Sequence, residues 1–203
     1  GTDTADYELT GDAASDYFGG YQGLDTMDLD GDGNLDLVVG AYGADDPSSM
    51  AGAAYVFYGP LAATELEAGD ADTIITPPSA TGSQYFGRAL QSAGDVNGDG
   101  FEDLIAGAYY TYDAYTTSSG YGAAYLIYGE GTDLGGAVTA SDYPTWWGES
   151  SGDYFGGLVA GIGDLDDDGY DEIAMGAWAV DALATNGGAI YVFKGSATDY
   201  DGS

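Results

Sequence analysis

The chain has no cysteine and no histidine, and its only basic residues are Arg88 and Lys194. The missing cysteines exclude disulfides and thiolate chemistry, and with the missing histidines they exclude Cys/His zinc sites. Without His or Cys the common nucleophile–base triads cannot be built. Without a basic patch, nucleic acid and anionic membrane surfaces are poor partners. No apolar run approaches ~20 residues, so the sequence offers no membrane-spanning helix and no membrane insertion is expected. The sequence opens Gly1-Thr2-Asp3 with no visible signal peptide, which reads as a processed product or a segment of a longer protein.

What is present is acid and aromatic. Thirty-five Asp and Glu give a formal net charge of −33, yet hydrophobic residues make up 44% of the 203, with 19 Tyr, 6 Phe and 3 Trp. A disordered acidic tail would lack those rings, and the length suffices for a real core. Self-repulsion at this charge opposes compaction. Bound divalent cations would relieve part of it, and salt would screen more.

Three repeats organise the chain. Tyr17-Phe18-Gly19 recurs as Tyr85-Phe86-Gly87 and Tyr154-Phe155-Gly156, at nearly equal intervals. A Gly-Ala-aromatic triplet recurs at Gly40-Ala41-Tyr42, Gly107-Ala108-Tyr109 and Gly176-Ala177-Trp178. Between them lies an Asp-rich loop. Its first Asp stands at the same distance before the triplet Gly in every unit: Asp28 before Gly40, Asp95 before Gly107 and Asp164 before Gly176. The next interval runs from that Gly to the Gly opening the following strand. It is equal in the first and third units, Gly40 to Gly52 and Gly176 to Gly188, and longer in the second, Gly107 to Gly122. Loop and following strand are thus in fixed register, whereas the later loop tolerates insertion. The pattern predicts short strands at 35–39, 104–106 and 173–175, and at 55–58, 125–128 and 190–193. It predicts others at 22–27, 88–93 and 158–162, and outer strands at 74–75 and 146–147. Residues 61–68 read as a short turn. Four short Gly-punctuated strands per unit suggest all-β, four-stranded antiparallel propeller blades.

The loops read Asp28-Leu29-Asp30-Gly31-Asp32-Gly33-Asn34-Leu35-Asp36, Asp95-Val96-Asn97-Gly98-Asp99-Gly100-Phe101-Glu102-Asp103 and Asp164-Leu165-Asp166-Asp167-Asp168-Gly169-Tyr170-Asp171-Glu172. All fit D-x-[DN]-x-D-G-x-x-[DE]. Ca²⁺ takes about six to eight oxygens. Side chains at positions 1, 3 and 5 converge if the chain curls around the ion. The Gly at position 6 permits the turn, position 7 (Asn34, Phe101, Tyr170) offers a backbone carbonyl, and position 9 (Asp36, Asp103, Glu172) closes the shell. An EF-hand starts the same way but needs Glu at position 12 between helices. Position 12 here is Val39, Ala106 or Met175. Magnesium suits an all-protein cage less well, because it keeps its waters. Three Ca²⁺ sites are expected, acting as structural staples and bringing −33 to about −27.

The Phe-Gly opening, the nine-residue loop and the Gly-Ala-aromatic triplet together resemble the FG-GAP repeat of integrin α-subunit propellers and related bacterial surface proteins. The resemblance implies four-stranded blades with calcium in the loop between the first and second strands. Its ligands map onto Asp28, Asp30, Asp32 and Asp36; Asp95, Asn97, Asp99 and Asp103; and Asp164, Asp166, Asp168 and Glu172. The family's Pro after Gly-Ala is replaced by Tyr42, Tyr109 or Trp178, which alters that loop. The longer arm of Glu172 is expected to shift the third ion or change its affinity.

Three blades cannot close a ring. Blades are expected at 16–80, 81–149 and 150–203. Residues 1–15 would hold the outer strand of a preceding or neighbouring blade, at 6–10, and the last blade would lack its own outer strand. This incomplete ring, offset by one strand, is expected to be completed by another copy or segment, giving a ring or a filament. The face opposite the calcium loops carries Tyr109, Tyr110, Tyr112, Tyr115 and Tyr121, a candidate partner surface. The expected function is a non-catalytic calcium-binding extracellular or cell-surface adhesion and assembly module that self-associates or binds a protein. The alternative is a carbohydrate-binding (glycan, lectin-like) propeller or an accessory segment of a secreted hydrolase.

Overall fold

The computed structural model describes residues 5–45, 48–78, 82–111, 120–181 and 184–197. In chain order the strands are β1 (Glu8–Thr10), β2 (Leu24–Met27), β3 (Asp36–Ala41), β4 (Ala53–Phe57), β5 (Glu65–Glu67), β6 (Thr73–Thr76) and β7 (Ala89–Gly94). There follow β8 (Asp103–Ala108), β9 (Ala123–Ile127), β10 (Ala137–Thr139), β11 (Thr145–Trp147), β12 (Phe155–Gly163), β13 (Glu172–Ala177) and β14 (Ala189–Phe193). The helices among the described residues are single 3₁₀ turns, Ala68–Asp70 and Ala140–Asp142, so none is long and apolar enough to cross a membrane.

The strands form antiparallel blades. The first is β2-β3-β4-β6, the second β7-β8-β9-β11, and the third β12-β13-β14 with no fourth strand among the described residues. The ring is open. The register follows the repeat: Val39, Ala106 and Met175 pair with Tyr55, Tyr125 and Tyr191. Side chains alternate across each sheet, and in the middle blade both faces are buried. Leu104, Ala106, Tyr125 and Ile127 pack on Met27, Val38, Val56 and Ile75 of the first blade. Ile105, Ala124 and Leu126 pack on Phe155, Val159, Ile173 and Met175 of the third. The near-continuous apolar runs of β8 and β9 reflect this two-sided burial.

Two elements depart from the expected organisation. The expected turn at 61–68 instead contributes β5, followed by a 3₁₀ turn, and its counterpart β10 follows in the second unit. Each makes a parallel pair with a strand of the unit before it: β10 with β6, and β5 with β1. Both are only three residues long and partly exposed, too short to leave a periodic signature. The pairing of β1 with β5 thus repeats that of β6 with β10.

Candidate metal centres

Each Asp loop joins the first and second strands of its blade. The first-position carboxylate accepts a hydrogen bond from the sixth-position Gly N–H in all three. Gly33 donates to Asp28 (3.0 Å), Gly100 to Asp95 (2.9 Å) and Gly169 to Asp164 (2.9 Å). Those glycines have φ of +89°, +96° and +96°, a conformation that costs other residues energy. The ninth-position carboxylate accepts from the second-position N–H: Leu29 to Asp36 (2.8 Å), Val96 to Asp103 (3.0 Å) and Leu165 to Glu172 (2.6 Å). These two bonds curl each loop into the same turn.

Asp36, Asp103 and Glu172 are buried to 0%, 0% and 2% exposure. Burial without a cation raises a carboxyl's pKa; it raises Asp36 and pushes Asp103 up to about 7. In the first two loops the second oxygen of this residue also accepts, from Gly59 (2.9 Å) or Gly129 (3.0 Å). The longer Glu172 leaves Oε1 buried and unpartnered, and so does Asp28 Oδ1. Buried polar atoms are normally satisfied, and a hard cation would satisfy both. Carboxylate oxygens of Asp28, Asp30 and Asp32 lie within 4.8 Å of one another, as do those of Asp164, Asp166 and Glu172. In the second loop Asp99 N–H donates to both Asp95 and Asn97 (3.0 Å each). The donor set is all oxygen, which suits Ca²⁺.

The third loop differs in one respect that the sequence did not suggest. Lys194, following β14, donates a hydrogen bond to Asp166 Oδ2. That contact lowers the Asp166 pKa and raises that of Lys194. An ammonium thus stands on one of the expected ligands. The side chain of Asn34 donates to Asp32 in the first loop, and that of Asn97 to Asp99 in the second.

The opposite ends of the blades carry an aromatic ladder. Tyr17 stacks on Tyr42 (4.8 Å between centroids), Tyr85 on Tyr109 (5.4 Å) and Tyr154 on Trp178 (4.8 Å). Neighbouring pairs touch through Tyr42–Tyr85 and Tyr109–Tyr154. Arg88 lies over Tyr21 and Tyr109, at 4.0 and 4.9 Å from the ring centres, a cation–π geometry. Of the five expected partner-face tyrosines, Tyr109 and Tyr110 join the ladder. Tyr121 stands just before β9, its carbonyl accepting from Phe155 N–H (3.1 Å), and Tyr112 and Tyr115 lie outside the described residues. Tyr17, Tyr42, Tyr85, Tyr154 and Trp178, read from the sequence only as repeat markers, belong to this face, as do Tyr21 and Arg88, which were not expected there. For the ladder rings the signal was there: Tyr precedes each Phe-Gly, and a ring ends each of the three repeated Gly-Ala triplets.

Residues 20–57 and 86–127 match the family model described as the FG-GAP repeat. Integrin alpha-IIb of Mus musculus is 30% identical over 189 residues, 88% of this chain and 16% of that protein. Its Homo sapiens counterpart is 30% identical over 191 residues, with the same coverage. Integrin alpha-PS2 of Drosophila melanogaster is 30% identical over 207 residues, 93% of this chain and 13% of that protein. The chain thus spans about a sixth or less of the length of these relatives.

Proposed function

Because this chain belongs to the FG-GAP repeat family and is homologous to integrin α subunits over most of its length, we propose that it is a non-catalytic adhesion or assembly module. Calcium staples it, it acts outside the cell or at its surface, and it binds a protein partner. The observation that carries the calcium part is the pair of buried, unpartnered carboxylate oxygens, Asp28 Oδ1 and Glu172 Oε1. Both sit in loops whose backbone is already curled. The residues that would hold the ions are those at positions 1, 3, 5, 7 and 9 of each loop. A bound divalent cation would neutralise charge and pin the two strands each loop joins.

Ion binding to the folded state alone must raise its stability, by ~2.7 kcal/mol per site at a hundredfold excess over Kd. Thermal melting with calcium and with EGTA tests this, and an unchanged midpoint overturns the calcium reading. Affinities near 10⁻⁴–10⁻³ M would fit an extracellular setting.

The partner we favour is a second copy joined head to tail. At the tail, the third blade lacks an outer strand among the described residues and exposes Leu158, Ile190 and Val192. Beside them and Trp178 lies a groove of about 440 Å³. At the head, β1 already holds the parallel pairing that the outer strand β6 holds with β10. The β1 of one copy would therefore complete the blade of the next, and Leu24, 59% exposed, would help cover its face. Such heterologous contacts give rings or filaments. Sedimentation in calcium should show concentration-dependent growth, and a monomer at every concentration removes self-association while leaving the calcium reading intact.

A further inference from the structure

The calcium loops of neighbouring blades are tied to each other. Glu102, the eighth residue of the second loop, accepts a hydrogen bond through Oε2 from Asp28 N–H, 2.9 Å away, at the start of the first loop. Asp171, the eighth residue of the third loop, accepts through Oδ2 from Asp95 N–H at 2.8 Å, and its own N–H donates to Asp95 O at 3.1 Å. A second contact accompanies each bond. The ring of Phe101 lies so close over Gly31 that a Cβ there would fall 2.4 Å from it, and the ring of Tyr170 lies likewise over Gly98, at 2.3 Å. The ring belongs to an expected ligand of one site and the carboxylate to the residue after it, and both land on the loop of the site before.

The outer sides of the first and third loops lack these parts. In the first loop, positions 7 and 8 are Asn34 and Leu35, with no ring and no carboxylate. In the third, position 4 is Asp167 at φ +58° rather than Gly, so its side chain occupies the place where a following ring would rest. The clasp is thus present at the two joints where calcium loops adjoin among the three, and its parts are missing on the outer sides of the first and third loops.

We infer that Glu102 and Asp171 are positioning residues that couple calcium binding between neighbouring blades, an inference that rests on the calcium reading above. An ion in the second loop would hold Phe101 O and Asp103, fixing Glu102 between them. Glu102 in turn fixes the backbone of Asp28, the first ligand of the preceding site. Filling one site therefore pre-orders the next, and by linkage the coupling is reciprocal. A joint between two copies would form without a clasp, so its calcium sites would be uncoupled across the interface.

The test is a calcium titration at fixed ionic strength, followed by NMR through the amides of Gly33, Gly100 and Gly169, one reporter per loop. Glu102→Leu, which copies Leu35, should move the Gly33 midpoint about tenfold higher while leaving Gly169 unmoved. Glu102→Gln keeps an acceptor oxygen and should restore the midpoint, which general destabilisation would not. Should Glu102→Leu not fold, Asp99→Asn in the otherwise native chain serves instead. Weakening the second site must raise the Gly33 midpoint if the sites are coupled. A Gly33 midpoint indifferent to these changes overturns the coupling alone. A chain in which no loop titrates overturns the calcium reading and the coupling with it.

Discussion

The second and third blades are built from nearly the same strand, Ala123–Ile127 (AAYLI) in one and Ala189–Phe193 (AIYVF) in the other. Yet Leu126 is 0% exposed and its counterpart Val192 is 51% exposed; Ala124 is 0% and Ile190 is 62%. The strands differ little in pattern and entirely in surroundings. Burial in a propeller is a property of the neighbouring blade, so the same apolar alternation makes a core in one place and an open face in another.

The sharpest way to break that comparison is to truncate both positions. Leu126→Ala should cost about 2–5 kcal/mol as a cavity between two sheets, read by urea denaturation. Val192→Ala should cost under ~0.5 kcal/mol in the dissociated chain, and a comparable loss at both positions would mean that the third face is covered in solution.

A second contrast lies in the loop carboxylates. Asp103 is pushed up to about 7 by burial, whereas in the unfolded chain it would ionise near 3.8. Between those values the folded state binds more protons than the unfolded one, so metal-free stability falls as pH rises from about 4 to 7. The loss is on the order of a few kcal/mol, visible as a falling melting midpoint in EGTA. Asp103→Asn should flatten that fall, and an unflattened fall would assign it to general charge repulsion.

Hydrogen exchange should sharpen the comparison further. Amides of β14, on an open edge, should exchange at least about tenfold faster than those of β9, which is paired on both sides. Equal protection would again point to a covered edge.

The smallest expected effect concerns Lys194. Its ammonium sits on Asp166 and must leave before an ion takes that oxygen. Lys194→Ala should strengthen calcium binding at the third site severalfold with little effect on the other two, measured by the same titration. The exposed ion pair itself contributes little to stability.

Much of this protein was legible because it is repeated. Three loops in one register, each at one fixed distance from a Gly-Ala-aromatic triplet, announced loop, strand and blade together. The strand at 6–10 was legible from its place before Phe-Gly, and it appears as Glu8–Thr10. The parallel ties β5 and β10 were not, since strands so short and partly exposed carry no period. The tyrosine ladder was written in the motifs, but its rings come from positions apart in sequence that only the radial stacking of blades brings together.

By itself the sequence determined the local geometry. Gly at position 6 allows the loop to turn, carboxylates recur at fixed intervals within it, and alternating apolar residues form strands. These depend on contacts between near neighbours in the chain. Only the tertiary structure decided which apolar face is covered, that Glu102 and Asp171 reach into the preceding loop, and that Lys194 meets Asp166. Those contacts join residues 28 to 76 positions apart, set by how one blade packs on the next, and no local pattern records them.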